Sequence, residues 1–483
     1  MKSSRISLQF IPLLMLAGFY ACFIPYSECQ VKQDGSSLSS KIDKILNDSL
    51  LEPSFIGVDI VSVENLQTIY SLNSNKLFHP ASNLKLITSA AALHLLGEDF
   101  FYRTYISTNG GITDGVLNGS IYIKASGDPL ITADDIDSLG ANIEAFKIRK
   151  ITGDLVCDAG YFDTVYWGRG WMWDDEPSSD QPFITPLCLD GNSIRLHLVS
   201  GPHERDPLAI TIDPVTTYID IINNGITSAG NLIPELSVTR QAITNRILIK
   251  GSLPGNTVKD FRLSVWKPEM YFLHLFRERL RRRGIIVEGS LRIDSMTALN
   301  PISQIIHPID TVLRRMNKMS DNLAAENLLK TLSAEMHGKP GSATDGVLLI
   351  KEYLFSLGID TSRTNIFDGS GVSWYNEISP SVIVKVLLQQ HKAQGTFKLF
   401  YESLPIASVD GTLKYRMINT RAANNLRAKT GTLTGVSGIS GYLSSRNGKL
   451  VAFSILCNHF PKEIMFLRDA QDRILELIAD SDI

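Results

Sequence analysis

The sequence is poor in the features that mark several protein classes. Its 483 residues hold only five cysteines, and Cys22 and Cys29 lie in or beside an apolar N-terminal stretch. Cys157, Cys188 and Cys457 remain, an odd and widely spread set that makes no disulfide framework. Whether Cys157 pairs with Cys188 stays open at this level. The nine histidines show neither H-E-x-x-H nor a Cys/His ligand spacing, so no metal site and no cofactor is expected. Charge is almost balanced, 47 Lys and Arg against 50 Asp and Glu, and a net −3 gives no reason to expect nucleic acid as a partner. No Gly-x-Ser-x-Gly elbow and no Gly-x-x-x-x-Gly-Lys-Ser/Thr loop is found, which excludes α/β-hydrolase and P-loop chemistry. Glycine and proline sit near average usage, so collagen-like or broadly disordered readings fail.

A long apolar run occurs once, from Ile11 to Pro25, with Lys2 and Arg5 before it. A basic start, a short apolar segment and then polar sequence predict a secretory signal over residues 1–30. The remainder is then exported, in the periplasm, and outside the membrane. Attachment through an uncleaved anchor or a lipidated Cys22 is the alternative, and no small-x-small triplet marks a cleavage site.

Along the rest of the chain the texture changes twice. Residues 36–50 carry a helical apolar spacing, 55–62 and 66–71 read as two strands, and an Ala-Leu-rich helix follows Pro80. From 100 to 295 short β-like runs recur between Gly, Asn, Asp and Pro turns. This block closes with a helix after Pro268 whose basic cluster, Arg277 to Arg283, suits a helix C-terminus. Helix texture resumes after 305, where Ala325, Leu328, Leu329, Leu332 and Met336 form an amphipathic stripe. A hairpin is predicted around Asn447-Gly448, and a last helix after Pro461.

Three short motifs stand in order: Ser82-Asn-Leu-Lys85, Ser320-Asp-Asn322 and Lys429-Thr430-Gly431, with Thr432 next. Singly, they read as a helix cap, a capping turn and a strand-end turn. Ser264-Val-Trp-Lys267 also fits the first pattern, but Lys267 precedes Pro268 and is kept out of helical backbone. The ordered triple, in helix, helix-start and strand contexts, suits acyl transfer. A serine hydroxyl needs a neighbouring base. Lys85, one helical turn from Ser82, serves only if neutral, and burial and the like charge of Lys429 both favour that. Ser320 can relay a proton to a departing amine and Asn322 can hold a substrate amide. Lys429 with the hydroxyls of Thr430 and Thr432 suits a substrate carboxylate. Backbone N–H groups of Ser82 and Thr432 are the oxyanion donors expected.

With these motifs, the chain resembles the low-molecular-mass class C penicillin-binding proteins, the D-alanyl-D-alanine carboxypeptidase/endopeptidase family. The likeness extends through His79-Pro-Ala-Ser-Asn-Leu-Lys85, Ser126-Gly-Asp-Pro129, Gly168-Arg-Gly-Trp-Met-Trp-Asp-Asp175, Ser320-Asp-Asn-Leu-Ala-Ala-Glu326, Phe367-Asp-Gly-Ser-Gly371, Asp410-Gly-Thr412 and Arg427-Ala-Lys-Thr-Gly-Thr-Leu433. Two departures, Ser408 where the family often has Gly and His307-Pro-Ile309 for Ser-Pro-Leu, touch no proposed catalytic group. The resemblance implies an α+β fold: a β-lactamase/transpeptidase-like domain of antiparallel sheet and helices, residues 31–99 and 296–483, interrupted by a β-rich insertion at 100–295. It implies a serine D,D-peptidase acting on peptidoglycan stem peptides and cross-links, acylated by β-lactams. Some relatives bind a free amine of the stem peptide with an acidic residue of the insert. Asp175 matches that position, with Asp174 the near alternative. A β-lactamase and a non-catalytic peptidoglycan-binding protein are the competing readings. The first lacks a base for a deacylating water, and the second has no need of a buried lysine. The balance of carboxypeptidase and endopeptidase action and the oligomeric state are left open by sequence.

Overall fold

A computed structural model describes residues 37–229, 235–295, 300–338, 340–461 and 463–483, so the expected signal over 1–30 lies outside the described residues. Strands Phe55–Ser62 and Thr68–Leu72 form the first hairpin. Leu66 takes φ +60° in the turn, which delays the second strand to Thr68. Strands Val436–Ser444 and Leu450–Asn458 form the last hairpin, and Phe55–Ser62 pairs antiparallel with Leu450–Asn458. Arg427–Leu433 adds the remaining edge, giving a five-stranded antiparallel sheet in which the chain's early and late segments meet. The sheet is covered on both faces, so its inner strands are almost wholly buried rather than alternating.

On one face lie the helices Leu38–Leu46 and Met465–Ala479, sharing a core with Val58, Ile60 and Phe453. The first is shorter than its apolar spacing suggested. The Ser37 side chain caps it by accepting from Ser40 N–H, and it ends at Asn47. On the other face the helix Leu84–Leu96 is buried over ten consecutive residues and packs against the helix Asn322–His337. The latter is buried all round through most of its length, and Met336 is exposed where its end projects. Pro80 is followed by a single 3-10 turn, Ala81–Asn83, before the α-helix begins.

The intervening block has its own core. Its largest sheet runs Leu291–Ile293, Leu155–Asp158, Ile121–Lys124, Phe101–Thr108, Asn300–Pro308. Asn300–Pro308 lies on the catalytic side of the boundary drawn at residue 295, yet it pairs with Phe101–Thr108. Ser303, Gln304 and His307 dilute its apolar pattern, which hides the strand from a reading by texture. The block also holds a helix unforeseen in the sequence, Ala133–Ala145, opened by a Thr132/Asp135 capping box. Arg279 and Arg283 reach this helix, at 3.7 Å from Asp137 and 2.9 Å from Glu144, so part of the basic cluster is spent within the fold. Lys267 adopts left-handed backbone (φ +52°), so Ser264 and Lys267 share no helical turn.

Cys157, Cys188 and Cys457 are buried free thiols, so Cys157 and Cys188 do not pair. Cys188 lies at the seam between the two units. There the fully buried Asn327 donates through Nδ2 to Gly127 O (3.0 Å), Thr185 O (3.1 Å) and Cys188 Sγ (3.1 Å). One turn on, Lys330 Nζ donates to Asp163 Oδ1 (2.6 Å) and Val165 O (2.7 Å). The Asn327 amide N–H groups and the Lys330 ammonium bury at this seam with these partners from the other unit, while Asn327 Oδ1 is left without one among the described residues. Asn327→Ala leaves two buried carbonyls without that donor and should cost about 2–3 kcal/mol, read as a lower urea midpoint.

Candidate active site

A cleft of ≈ 680 Å³ opens at the edge strand Arg427–Leu433 and is lined by Ser82, Ser320, Asn322, Thr430, Gly431 and Thr432, among others. All three motifs therefore converge, with Lys85 and Lys429 fully buried behind it. Ser82 is half-buried in the 3-10 turn and Lys85 lies in the first turn of the following helix.

Lys85 Nζ stands 2.9 Å from Ser82 Oγ, 2.6 Å from Asn322 Oδ1 and 2.8 Å from Ser370 O. Asn322 Oδ1 and Ser370 O can only accept, so they take two N–H bonds of the amine. The third direction faces Ser82: an ammonium donates to Oγ, and a neutral amine offers its lone pair to the Ser82 proton. Burial pulls the Lys85 pKa down to about 8, against the opposing pull of Asp368 and Glu326. Lys429 Nζ donates to Ser320 Oγ (2.9 Å) and Thr430 O (2.7 Å). Burial, and then the charge of Lys85, push its pKa well below the ordinary lysine value.

The acceptors around Lys85 are themselves held. Asn322 begins its helix just after the cap Asp321, whose Oδ1 accepts from Ala324 N–H (3.0 Å). Its Nδ2 donates to Asp180 O (2.6 Å) on the insert, which fixes the amide with Oδ1 toward Lys85. Ser370 belongs to a loop gripped by two buried carboxyls. Asp368 accepts from Trp171 Nε1 (3.1 Å), Gly371 N (2.9 Å), Ser373 N (2.6 Å) and Asn376 Nδ2 (2.7 Å). Glu326 accepts from Gly369 N (3.0 Å) and Ser370 N (2.8 Å), and burial with the neighbouring Asp368 raises its pKa.

Glycines let these pieces approach. A Cβ on Gly431 would lie 2.7 Å from Asn83 Nδ2 and 2.9 Å from Ala81 Cβ, so the strand seats the nucleophile's turn only with glycine there. A Cβ on Gly371 would stand 1.9 Å from Ala81 O. Ala81 (φ +44°) and Ser320 (φ +60°) hold left-handed backbone that other residues avoid. Thr430 Oγ1 donates to Thr412 Oγ1 (2.7 Å), and Arg468 Nη2 donates to Thr432 Oγ1 (3.3 Å).

Asp175 is not among the residues lining this cleft. It sits in a short 3-10 turn and its Oδ2 accepts from Met172 N–H at 2.9 Å, while Asp180, further along the same segment, reaches the cleft. Glu326, Asp368, Asp180 and Arg468 were not singled out from sequence. Glu326 and Asp368 lie within recognisable stretches, whereas Asp180 and Arg468 carry no local signal.

The motifs predict Lys85 as a base that works only when neutral; on that reading the rate of Ser82 acylation should rise between pH 7 and 9 and level above, since only about a tenth of such a base is neutral one unit below its pKa. Lys85→Arg, which stays protonated, should abolish it. Gly431→Ala should cost about 1–3 kcal/mol of stability in denaturant and slow Ser82 acylation more than tenfold, since backbone cannot yield cheaply there.

Comparison with known proteins places this geometry. The sequence profile of the D-Ala-D-Ala carboxypeptidase 3 (S13) family matches residues 38–480. A D-alanyl-D-alanine carboxypeptidase from an Actinomadura species is 31% identical over 439 residues, 88% of this chain and 81% of that protein. The D-alanyl-D-alanine carboxypeptidase DacB of Haemophilus influenzae is 29% identical over 86% of this chain and 88% of its own. The crystal structure of penicillin binding protein 4 (dacB) from Haemophilus influenzae superposes with TM-score 0.82 at 26% identity, covering 91% of this chain and 99% of that one. A cleft with serine, lysine and a second Ser/Lys pair, on an α+β fold shared across nearly the whole length, identifies this chain as a member of the D-Ala-D-Ala carboxypeptidase 3 (S13) family of serine peptidases.

Proposed function

We propose that the protein is an exported, periplasmic D,D-peptidase that cleaves D-Ala-D-X bonds of peptidoglycan stem peptides through an acyl-enzyme on Ser82. The contact that carries this reading is Lys85 Nζ at 2.9 Å from Ser82 Oγ, with its other two directions taken by acceptors. Neutral Lys85 takes the Ser82 proton as Oγ attacks the D-Ala carbonyl. The tetrahedral oxyanion faces the backbone N–H groups of Ser82 and Thr432. Ser320, accepting from Lys429, passes a proton to the departing amine, and Asn322 holds the substrate's amide. Water then hydrolyses the ester by the reverse use of the same groups.

The same nucleophile opens a β-lactam ring, and a structure of the Haemophilus influenzae protein in complex with a β-lactam supports carrying this over. Thr430, Gly431 and Thr432 form the strand edge along which the substrate lies. Asp175 is kept as the receiver of a stem-peptide amine, since Met172 N–H occupies only its Oδ2. Neither the carboxypeptidase nor the endopeptidase outcome requires a different set of groups.

Intact-mass spectrometry of the exported protein with penicillin should show one covalent adduct, mapping to Ser82 and missing from Ser82→Ala. Penicillin left intact and unbound by the wild-type protein would refute the reading, and rapid turnover without adduct would make it a β-lactamase.

A further inference from the structure

The substrate proposed above ends in a free carboxylate, and the cleft needs a lasting positive charge to receive it. Lys429 serves this poorly. It is fully buried, with Ser320 Oγ and Thr430 O as its partners, and burial beside Lys85 disfavours its charged form. Lys414 lines the cleft but is exposed and lies over the Tyr415 ring at 5.2 Å. The remaining cations of the lining are Arg416 and Arg468.

Arg416 is already paired: its guanidinium binds Asp472 at 2.5 Å through Nη2 and 3.0 Å through Nε. Asp469 lies 3.5 Å from Arg473. Arg468 has no carboxylate within ion-pair distance among the described residues, although it stands between these two pairs on the helix Met465–Ala479. Among the described residues its side-chain bond goes to Thr432 Oγ1, on the strand that bears Lys429. A cation in the first turn of a helix opposes the helix dipole; the nearby Arg416 repels it, and Asp472, already bonded to Arg416, attracts it from a distance. Among the described residues no carboxylate pairs with Arg468 directly, and a bound anion beside Thr432 would supply that partner.

We propose that Arg468 is a specificity-determining residue that pairs with the free α-carboxylate of the leaving residue, together with the Thr432 hydroxyl; this rests on the peptidase reading above. Arg468 donates to Thr432 Oγ1, so the Thr432 O–H is left to donate to the same carboxylate. The pairing serves both outcomes of cleavage, because a terminal D-Ala and the D-centre of a cross-linking diamino acid each carry a carboxylate next to the leaving nitrogen. It also explains why the charge is an arginine: a guanidinium stays charged at the pH where Lys85 is neutral.

The test compares a diacylated L-Lys-D-Ala-D-Ala peptide with its C-terminal carboxamide, measuring release of the last residue by wild type, Arg468→Gln and Arg468→Lys. Wild type should prefer the free acid. Arg468→Gln should lose at least tenfold in kcat/KM on the acid, mainly through KM, with the carboxamide rate within twofold of wild type. Arg468→Lys, which keeps charge without the fork, should fall between and stands in if the glutamine variant does not fold. Acid and carboxamide rates falling by one common factor would overturn the proposal, leaving Arg468 as a prop for Thr432. An unchanged acid preference would overturn it too. A wild-type protein that cleaves neither peptide and takes no penicillin at Ser82 would instead refute the peptidase reading.

Discussion

One buried amine organises this molecule. Lys85 sits without solvent exposure in the middle of the helical layer, a position that an isolated ammonium could not occupy without a large penalty. It is accommodated because three oxygens surround it, and those oxygens come from three separate parts of the chain: the nucleophile's own turn, the helix beginning at Asn322, and the loop around Ser370. Each part is fixed by a further layer of bonds, so the position of Ser82 relative to its base is determined redundantly. The inserted block takes part as well. Asp180 orients Asn322, and Trp171 donates to the carboxylate that shapes the Ser370 loop.

Strain gathers where these parts meet. Ala81 and Ser320 adopt left-handed backbone on either side of the cleft, and Gly371 and Gly431 press against the turn between them. Such conformations persist only where the surroundings over-determine them: at Ala81 the loop held by Asp368 and Glu326 presses in through Gly371, and at Ser320 the side chain is held by Lys429. The glycine of the Lys-Thr-Gly segment is thus explained by packing on Asn83 as much as by any contact with substrate.

Much of this could be read in the sequence. The first hairpin, the helix after Pro80, the helix from Asn322 and the last hairpin follow from periodicity and turn residues, and the motif order singled out Ser82, both lysines and Ser320 with Asn322, which the fold brings to one cleft. What stayed hidden depends on distant partners. Asn300–Pro308 becomes a strand by pairing with a segment almost two hundred residues earlier, and its mixed polarity gives no local sign. Glu326 and Asp368 look like ordinary surface charges until the fold buries them. Asp175 sits on a turn bonded to Met172 and outside the cleft lining, while Asp180, a few residues on, reaches the cleft without any local signal. Spacing fixes which residue follows which, and only three-dimensional closure decides where a side chain points.

The sheet order carries a consequence for how the protein is made. The first hairpin, Phe55–Ser62 with Thr68–Leu72, completes its sheet only when Leu450–Asn458 arrives, and in the sheet Lys429 is on a strand beyond that. Residues 101–308, by contrast, contain both edges of their own largest sheet and can close it early. A chain emerging from its N-terminus therefore holds Ser82 and Lys85, on the turn and helix that follow an unpaired hairpin, while the insert gathers itself. Lys429 joins the cleft only after its strand Arg427–Leu433 has been made, so the site is completed late and through a slow kind of contact, one between segments far apart in sequence.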